Sequence, residues 1–217
     1  PINSIIGFSG IMLQGMSGPI NDKQKEHLGR VFNSGKHLMD LISDVIDISK
    51  IEGDRIDVYP QMFAIHELAS EIKENFSKRA EHKKLQLEFD VAGDVYMFTD
   101  RKRMQQVISN LVSNAIKYTE HGFVRVSVRE YYGMVEVLVE DSGIGITEDN
   151  MLNLFNAFER LDTHLKIREG GTGLGLYLTD KLLSEVLHGE IEVESEPGKG
   201  SAFRVRVAQD LRKENEM

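Results

Sequence analysis

Apolar residues recur at steps of three and four from the first position of the chain. Ile2, Ile5, Ile6, Ser9, Met12 and Leu13 fall on one stripe of an α-helix. After the loop "MSGPIND" the rhythm resumes from about Asp22 to Glu52. Leu28, Val31, Gly35, Leu38, Ile42, Val45 and Ser49 alternate steps of three and four, and Phe32, Met39 and Ile46 widen the stripe. A helix of about 30 residues is roughly 45 Å long, too long for the short first helix to cover its apolar face. Two arrangements satisfy that face: two helices from each of two chains in a dimeric four-helix bundle, or packing against the rest of the same chain. The dimeric bundle is the expectation.

Gly53 closes the long helix, and beyond Pro60 the pattern changes to mixed α and β. His66 to Glu81 reads as a helix, and "LQLEFDV" and "VYMFTD" alternate as strands. Asp100 is a good N-cap for a helix over Arg101 to Thr119, whose apolar face is Met104, Val107, Ile108, Leu111, Val112, Ala115 and Ile116. "FVRVSVRE" and "MVEVLVED" form a hairpin around Tyr132 and Gly133. Gly173 to Leu187 is helical, and "EIEVES" and "SAFRVRVA" flank the turn "EPGKG". Helices and strands come in clusters without regular βαβ alternation, which predicts an α+β sandwich rather than a Rossmann sheet. The expected organisation is a helical region over residues 1–55, a linker over 56–62, an α+β domain over 63–209 and a tail over 210–217.

Composition narrows the function classes. The 217 residues carry a net charge of −9, and their basic residues are interleaved with acids. Both features argue against a nucleic-acid binder, which needs a basic surface. With no cysteine there is no disulfide, thiolate nucleophile or zinc-thiolate site. No apolar run approaches the ~20 residues that span a bilayer, so no direct membrane contact is expected of this stretch. None of the seven histidines falls in an HxxxH pair, and structural roles are expected for most.

Two glycine-bearing segments stand out, "DSGIGI" at 141–146 and "GGTGLGL" at 170–176. Neither is a standard nucleotide fingerprint: Leu176 occupies the place of the third glycine of GxGxxG, and no GxxxxGK[ST] exists. Between the strands, "NLVSNAIKYT" sets Asn110, Asn114 and Lys117 at i, i+4 and i+7, on one face of a helix whose other face is apolar. In chain order with "VEDSGIGI", "LFNAFERLD" and "GGTGLGLYLTDKLL", this segment closely resembles the N, G1, F and G2 boxes of a sensor histidine kinase's ATP-binding domain. The closing "EIEVESEPGKGSAFRVRV" is similar to that family's final strand–turn–strand, and "GKHLMDLISDVIDISKIEG" looks like the second helix of its dimerisation domain.

The resemblance implies a fold and a set of roles. The fold is a helical hairpin that pairs into a dimeric four-helix bundle, followed by the two-layer α+β sandwich of the GHKL (Bergerat-type) ATPases. ATP and Mg²⁺ are the implied cofactors. An ionised carboxylate at Asp141 only accepts hydrogen bonds, which suits the adenine amino group. Gly143, Gly145 and Ile146 are implied to lie along the base, Asn114 to ligate Mg²⁺ through oxygen, and Asn110 to support it. Lys117 is implied to face the phosphates and Tyr118 the adenine or ribose. Gly171, Thr172, Gly173, Leu174 and Gly175 open a helix whose free N–H groups and dipole suit phosphate. Arg160 is the candidate for the γ-phosphate, since a planar guanidinium matches phosphate oxygens. The polar stretch "ERLDTHLKIREGG", with His164 and Lys166 on its surface, looks like a lid over the nucleotide.

In this family the phosphoacceptor lies in a pattern like H-E-[LI]-[RK]-[TN]-P, and "PINSIIGFS" begins at the proline. The acceptor histidine is therefore expected five residues upstream of Pro1, and His37 reads as ordinary second-helix sequence. The implied activity is transfer of the γ-phosphoryl group of ATP to that histidine and onward to a response-regulator aspartate. The implied partners are a second copy of the chain and a receiver domain, in the cytoplasm. Two alternatives remain at this level: a GHKL ATPase that does conformational work, as in gyrase and MutL, and a catalytically silent dimerisation module.

Overall fold

The computed structural model describes residues 1–53, 55–159 and 172–212. It divides into two compact units, Pro1–Ser49 and Lys50–Met217.

The first unit is a helical hairpin of α1 (Ile2–Leu13) and the long α2 (Asp22–Glu52), whose last turn belongs to the second unit. The entry to α2 is a reciprocal capping box: Asn21 Oδ1 accepts from Gln24 N at 2.9 Å, and Gln24 Oε1 accepts from Asn21 N at 2.9 Å. The two helices approach closely where a glycine meets a large apolar side chain. A Cβ at Gly35 would lie 2.9 Å from Ile6, and one at Gly10 would lie 3.2 Å from the Phe32 ring. Ser9, buried in the same seam, returns its hydroxyl to Ile5 O at 2.6 Å. The remaining apolar stripe is exposed in the single chain: Ile5, Phe8 and Ile11 on α1, and Val31, Leu38, Ile42, Val45 and Ile46 on α2.

The second unit is the α+β sandwich. Its strands are β1 (Gln61–Ala64), β2 (Gln86–Val91), β3 (Tyr96–Thr99), β4 (Phe123–Tyr131), β5 (Met134–Asp141), β6 (Gly189–Glu196) and β7 (Gly200–Ala208). Its helices are α3 (Ile65–His82), α4 (Arg101–Tyr118), the single turn α5 (Glu148–Met151) and α6 (Gly175–Glu185). A five-stranded sheet runs β2-β4-β5-β7-β6, all antiparallel except the β2–β4 pair. Alternation puts Val124, Val126 and Val128 of β4, Val135, Val137 and Val139 of β5, and Phe203, Val205 and Val207 of β7 on the buried face. Against that face packs α4, flanked by α3 and α6, and the predicted apolar residues of α4 from Met104 to Ile116 are all buried.

The opposite face carries charge in columns that alternate from strand to strand. Glu88 and Asp90 of β2 pair with Arg125 and Arg129 of β4. Glu136 of β5 and Glu190, Glu192 and Glu194 of β6 flank Arg204 and Arg206 of β7. Cross-strand neighbours of opposite sign favour this order of strands over one that sets like charges side by side.

Three details differ from the sequence reading. Gln61–Ala64 form a strand that pairs with β3 in a separate two-stranded sheet, where only a connection was expected. Thr147 caps the short α5, its hydroxyl accepting from Asn150 N. And α6 begins at Gly175, two residues later than predicted, because Gly173 sits at φ 72°, outside helical geometry.

Candidate functional site

The centre of the site is the helix α4. Asp100 starts it twice over: one carboxylate oxygen accepts from Arg103 N at 3.1 Å, and the other from Tyr59 N of the preceding linker at 2.9 Å. The far end leaves four orphan carbonyls, as every helix does, and each has a partner. Thr119 Oγ1 donates to Ala115 O at 2.7 Å. Lys83 Nζ, just past the end of α3, donates to Ile116 O at 3.1 Å and Lys117 O at 2.9 Å. Ile144 N, from the loop after β5, donates to Tyr118 O at 3.2 Å. The helix end that carries Asn114, Lys117 and Tyr118 is thus held by α3 on one side and by the "DSGIGI" loop on the other.

An open cleft lies along this end of α4. Its walls are mostly apolar: Ile144, Ile146, Leu154, Leu176 and Phe203, with Ala115 of α4. Its polar groups are few, namely Asn114, Tyr118, Asp141 and Ser201. A mostly apolar cleft with a small number of convergent polar groups is the usual form of a small-molecule site.

Asp141 ends β5 and is almost fully buried, 8% exposed. Burial pushes its carboxyl up to about 6, while hydrogen bonds from the Gly143 and Ser201 N–H groups hold it from rising further. The Gly143 N–H bond measures 2.8 Å. Beyond it the chain turns at Gly145, where φ is +67° and an added Cβ would stand 2.1 Å from Glu196 O. Only glycine fits there, because the loop lies directly against the β6–β7 turn. Gly198 N donates to Ile144 O at 2.8 Å, and Ile146 N donates to Ser195 Oγ at 2.9 Å, so this turn braces the loop from behind.

The candidate residues separate into those that line the cleft and those that hold it. Asn114, Tyr118, Asp141, Gly145 and Ile146 line it. Asn110 instead ties α4 to α6, donating to the buried Thr179 hydroxyl at 2.7 Å. Gly175 opens α6 against this amide, where a Cβ would come within 2.5 Å of Asn110 Oδ1. Lys117 Nζ lies 4.7 Å from the Tyr118 ring centroid. Thr172 Oγ1 accepts from Leu174 N at 3.0 Å, and Gly173 O accepts from Phe158 N at 2.9 Å. Leu174 makes no side-chain cap bond, and among the described residues the first N–H groups of α6 have no side-chain partner. Arg160 and Gly171, with the proposed lid residues His164 and Lys166, lie outside the described residues.

Sequence reasoning missed Ala115, Ile144, Leu154, Leu176, Ser201 and Phe203 as cleft residues. Ser201 and Phe203 stand two apart on β7, so they share a face, but nothing in their pattern distinguished a cleft wall from ordinary core. It also missed Lys83, one of 26 basic residues with no motif around it.

Comparison with known proteins gives this geometry its context. Residues 99–211 match the family described as histidine kinase-, DNA gyrase B-, and HSP90-like ATPase, and residues 1–54 match the His Kinase A (phospho-acceptor) domain. The chain is 36% identical over 212 residues to the circadian input-output histidine kinase CikA of Synechococcus elongatus, covering 95% of this chain and 28% of that protein. It is 35% identical over 218 residues to the signal transduction histidine-protein kinase BarA of Escherichia coli K12, covering 97% of this chain and 23% of that protein. It therefore spans about a quarter of these relatives' length. Full-length ShkA, solved in complex with AMPPNP, superposes with a TM-score of 0.78 at 26% identity over 96% of this chain and 43% of that one. ThkA, solved in complex with response regulator protein TrrA, shares the fold at a TM-score of 0.69 and 22% identity, over 94% of this chain and 58% of that one. With both domain types in order along one chain, the protein belongs to the sensor histidine kinases of two-component systems.

Proposed function

We propose that this chain is the transmitter core of its kinase, binding Mg·ATP in the cleft beside α4 for phosphoryl transfer to a histidine and then to a response-regulator aspartate. The observation that carries the reading is Asp141, a buried acceptor with no cationic partner among its interactions, at the end of an apolar slot. A purine ring fills such a slot, and its exocyclic amino group supplies the donor that the carboxylate lacks. The aliphatic walls at Ile144, Ile146 and Leu176 cover the faces of the base, and Tyr118 borders the ribose side.

The phosphates then run from the cleft toward the first turn of α6, whose first N–H groups and positive dipole end face them. Lys117 adds charge to that path, and Thr172, Gly173, Leu174 and Gly175 form the approach to the turn. Arg160 and Gly171 extend the same set on the family's pattern. Among the described residues there is no cluster of three acidic or histidine side chains that could hold a metal. The donor set fits Mg²⁺ all the same: Asn114 Oδ1 would offer a hard oxygen at the cleft, the ligand type this cation takes. Held there, Mg²⁺ would supply charge neutralisation at the phosphates. Asn110, engaged with Thr179, keeps the α4–α6 distance at which Asn114 and the α6 turn address one ligand. Because little covalent work falls to the protein in phosphoryl transfer, positioning and charge are what these residues supply.

The first unit supplies the dimer. Leu38, Ile42, Val45 and Ile46 form an exposed apolar stripe on α2 that a second copy covers in a four-helix bundle. The partner downstream is the receiver domain of a response regulator, the phosphoryl acceptor after the histidine; the fold neighbour ThkA is solved in complex with response regulator protein TrrA. A cytoplasmic position follows from the ATP requirement, and no described helix is long and apolar enough to cross a membrane.

Calorimetric titration with a non-hydrolysable ATP analogue and Mg²⁺ tests the reading. Saturable binding by the wild-type chain, removed by Asp141→Asn, is the expected result. A folded wild-type chain that takes up no nucleotide would overturn it and leave the silent dimerisation module in its place.

A further inference from the structure

Ser195, one residue before the end of β6, lies opposite Ser201 of β7, and Ser201 in turn lies opposite Asp141 of β5. The Ser195 hydroxyl meets three groups: Ile146 N at 2.9 Å, Gly200 O at 2.8 Å and Ser201 Oγ at 3.0 Å. A serine hydroxyl has one proton and two lone pairs. Gly200 O and Ser201 Oγ both lie within reach of the one Ser195 proton. Gly200 O is the nearer and can only accept, whereas Ser201 Oγ can also donate, so the arrangement that satisfies all three contacts gives the Ser195 proton to Gly200 O. Ile146 N–H can only donate, so it takes one lone pair. The second lone pair is left for the Ser201 proton, and the Ser195 hydroxyl is then fully satisfied.

This order has a consequence in the cleft. Ser201 lines the cleft, and once its proton is committed to Ser195 it offers a ligand lone pairs alone. Asp141 beside it, when ionised, also accepts only. The polar floor of the cleft is therefore a pair of acceptors. A 6-aminopurine brings two N–H donors to such a floor. A 6-oxopurine brings an acceptor at the 6-position, its one new donor being the neighbouring N1–H, and a carboxylate placed to meet the 6-substituent then faces a lone pair, an arrangement a buried site rejects strongly. Ile146, a wall of the same cleft, is fixed by the same hydroxyl.

We propose that Ser195, which does not line the cleft, is a positioning residue that sets its selectivity for amino over oxo purines by holding the Ser201 proton away from the ligand. The proposal rests on the reading of the cleft as the adenine site. Removing the Ser195 hydroxyl releases the Ser201 proton, which can then donate to a 6-oxo group.

The test compares ADP and IDP, which differ at the 6-position and are not turned over, by calorimetry with Mg²⁺ on the 217-residue chain. Wild-type protein is expected to prefer ADP by about 100-fold or more. In Ser195→Ala that ratio falls about 5- to 10-fold, the worth of one hydrogen bond, with IDP affinity held or improved. Ser195→Thr, which keeps the hydroxyl, stays within about twofold of wild type in the ratio. A loss shared equally by both nucleotides, or an unmoved ratio, overturns the proposal, because a merely structural serine would weaken both alike. Should Ser195→Ala fold poorly, Ser201→Ala removes the same proton and supplies a second test. It too should alter the ratio, and adding Ser195→Ala to it should change nothing further. A further change there would show that the selectivity does not pass through Ser201. Wild-type protein that binds neither nucleotide overturns the cleft reading and this inference together, whereas binding with an unmoved ratio overturns this inference alone.

Discussion

Asp141→Asn should weaken nucleotide binding and at the same time stabilise the folded protein, and the second effect should grow with pH. Burial raises the Asp141 carboxyl from 3.8 to about 6 in the folded state. A raised pKa means that the folded protein holds a proton the unfolded chain has already released. The stability linked to that proton is fully present below 3.8 and is lost as pH rises through about 6. A shift of about two units corresponds to roughly 3 kcal/mol, of which about 1.4 kcal/mol is still to be lost between about pH 5 and pH 8. Asparagine cannot ionise, so the variant loses none of it. Its amide keeps an oxygen for Gly143 N–H but sets an NH₂ toward Ser201 N–H, a mismatch that costs about 1–2 kcal/mol at every pH. The pH-independent cost cancels in the difference between the two pH values.

Urea unfolding of both proteins at about pH 5 and pH 8 reads that difference directly, following the transition that ADP displaces. The variant's stability relative to wild type should rise by about 1.4 kcal/mol between these values. Its affinity for ADP at about pH 8 should fall by 10- to 150-fold, the range for a hydrogen bond to a charged group. Parallel stability curves would refute the account of Asp141 as a carboxylate ionised against its environment. Retained affinity would refute its role as the adenine acceptor. Wild-type binding should itself weaken below about pH 6, as the carboxylate takes up its proton.

Substitutions at Lys83, at Gly145 and at the pair Leu38 and Ile42 address the frame around the cleft and the bundle. Lys83→Met withdraws the ammonium from Ile116 O and Lys117 O, and should cost about 1–2 kcal/mol of stability in urea; Lys83→Arg should recover most of it, since a guanidinium reaches the same helix end. Gly145→Ala forces a Cβ against Glu196 O at φ +67°, and calorimetry should show ADP affinity down by at least about 10-fold, from strain of about 1–3 kcal/mol in the loop. Leu38→Asp with Ile42→Asp puts charge on the exposed stripe of α2, and sedimentation should show a dimer of the wild-type chain replaced by monomer.

How much of this was legible in the sequence depends on the range over which each feature is encoded. The helix α4 was readable almost to the residue, because its N-cap Asp100, its buried stripe and the change of pattern at Thr119 are all local. The β4–β5 hairpin was readable for the same reason, with Tyr132 and Gly133 both at positive φ in a two-residue turn. The strand β1 was not, since Gln61–Ala64 are too few to show alternation and owe their pairing to β3, more than 30 residues away. The parallel β2–β4 pairing was hidden likewise: parallel strands need a crossover, here the whole of α4, and no turn signal marks it.

The site divides along the same line. Asp141, Asn114 and the glycines announce themselves because a motif fixes their spacing. Yet the motif does not say how its loop is held, and the loop's geometry comes from elsewhere: Ser195 on β6, the Glu196–Gly200 turn and Lys83 after α3. These residues act by hydrogen bonds across 33 to 54 positions of chain, and a lone serine or lysine carries no trace of such a partner in its own neighbourhood. The same distance separates recognition from selectivity. Asp141 alone accepts a hydrogen bond from any donor that reaches it. It is the commitment of the Ser201 proton to Ser195, a property of three adjacent strands together, that turns a place where a purine fits into one that distinguishes an amino group from a carbonyl.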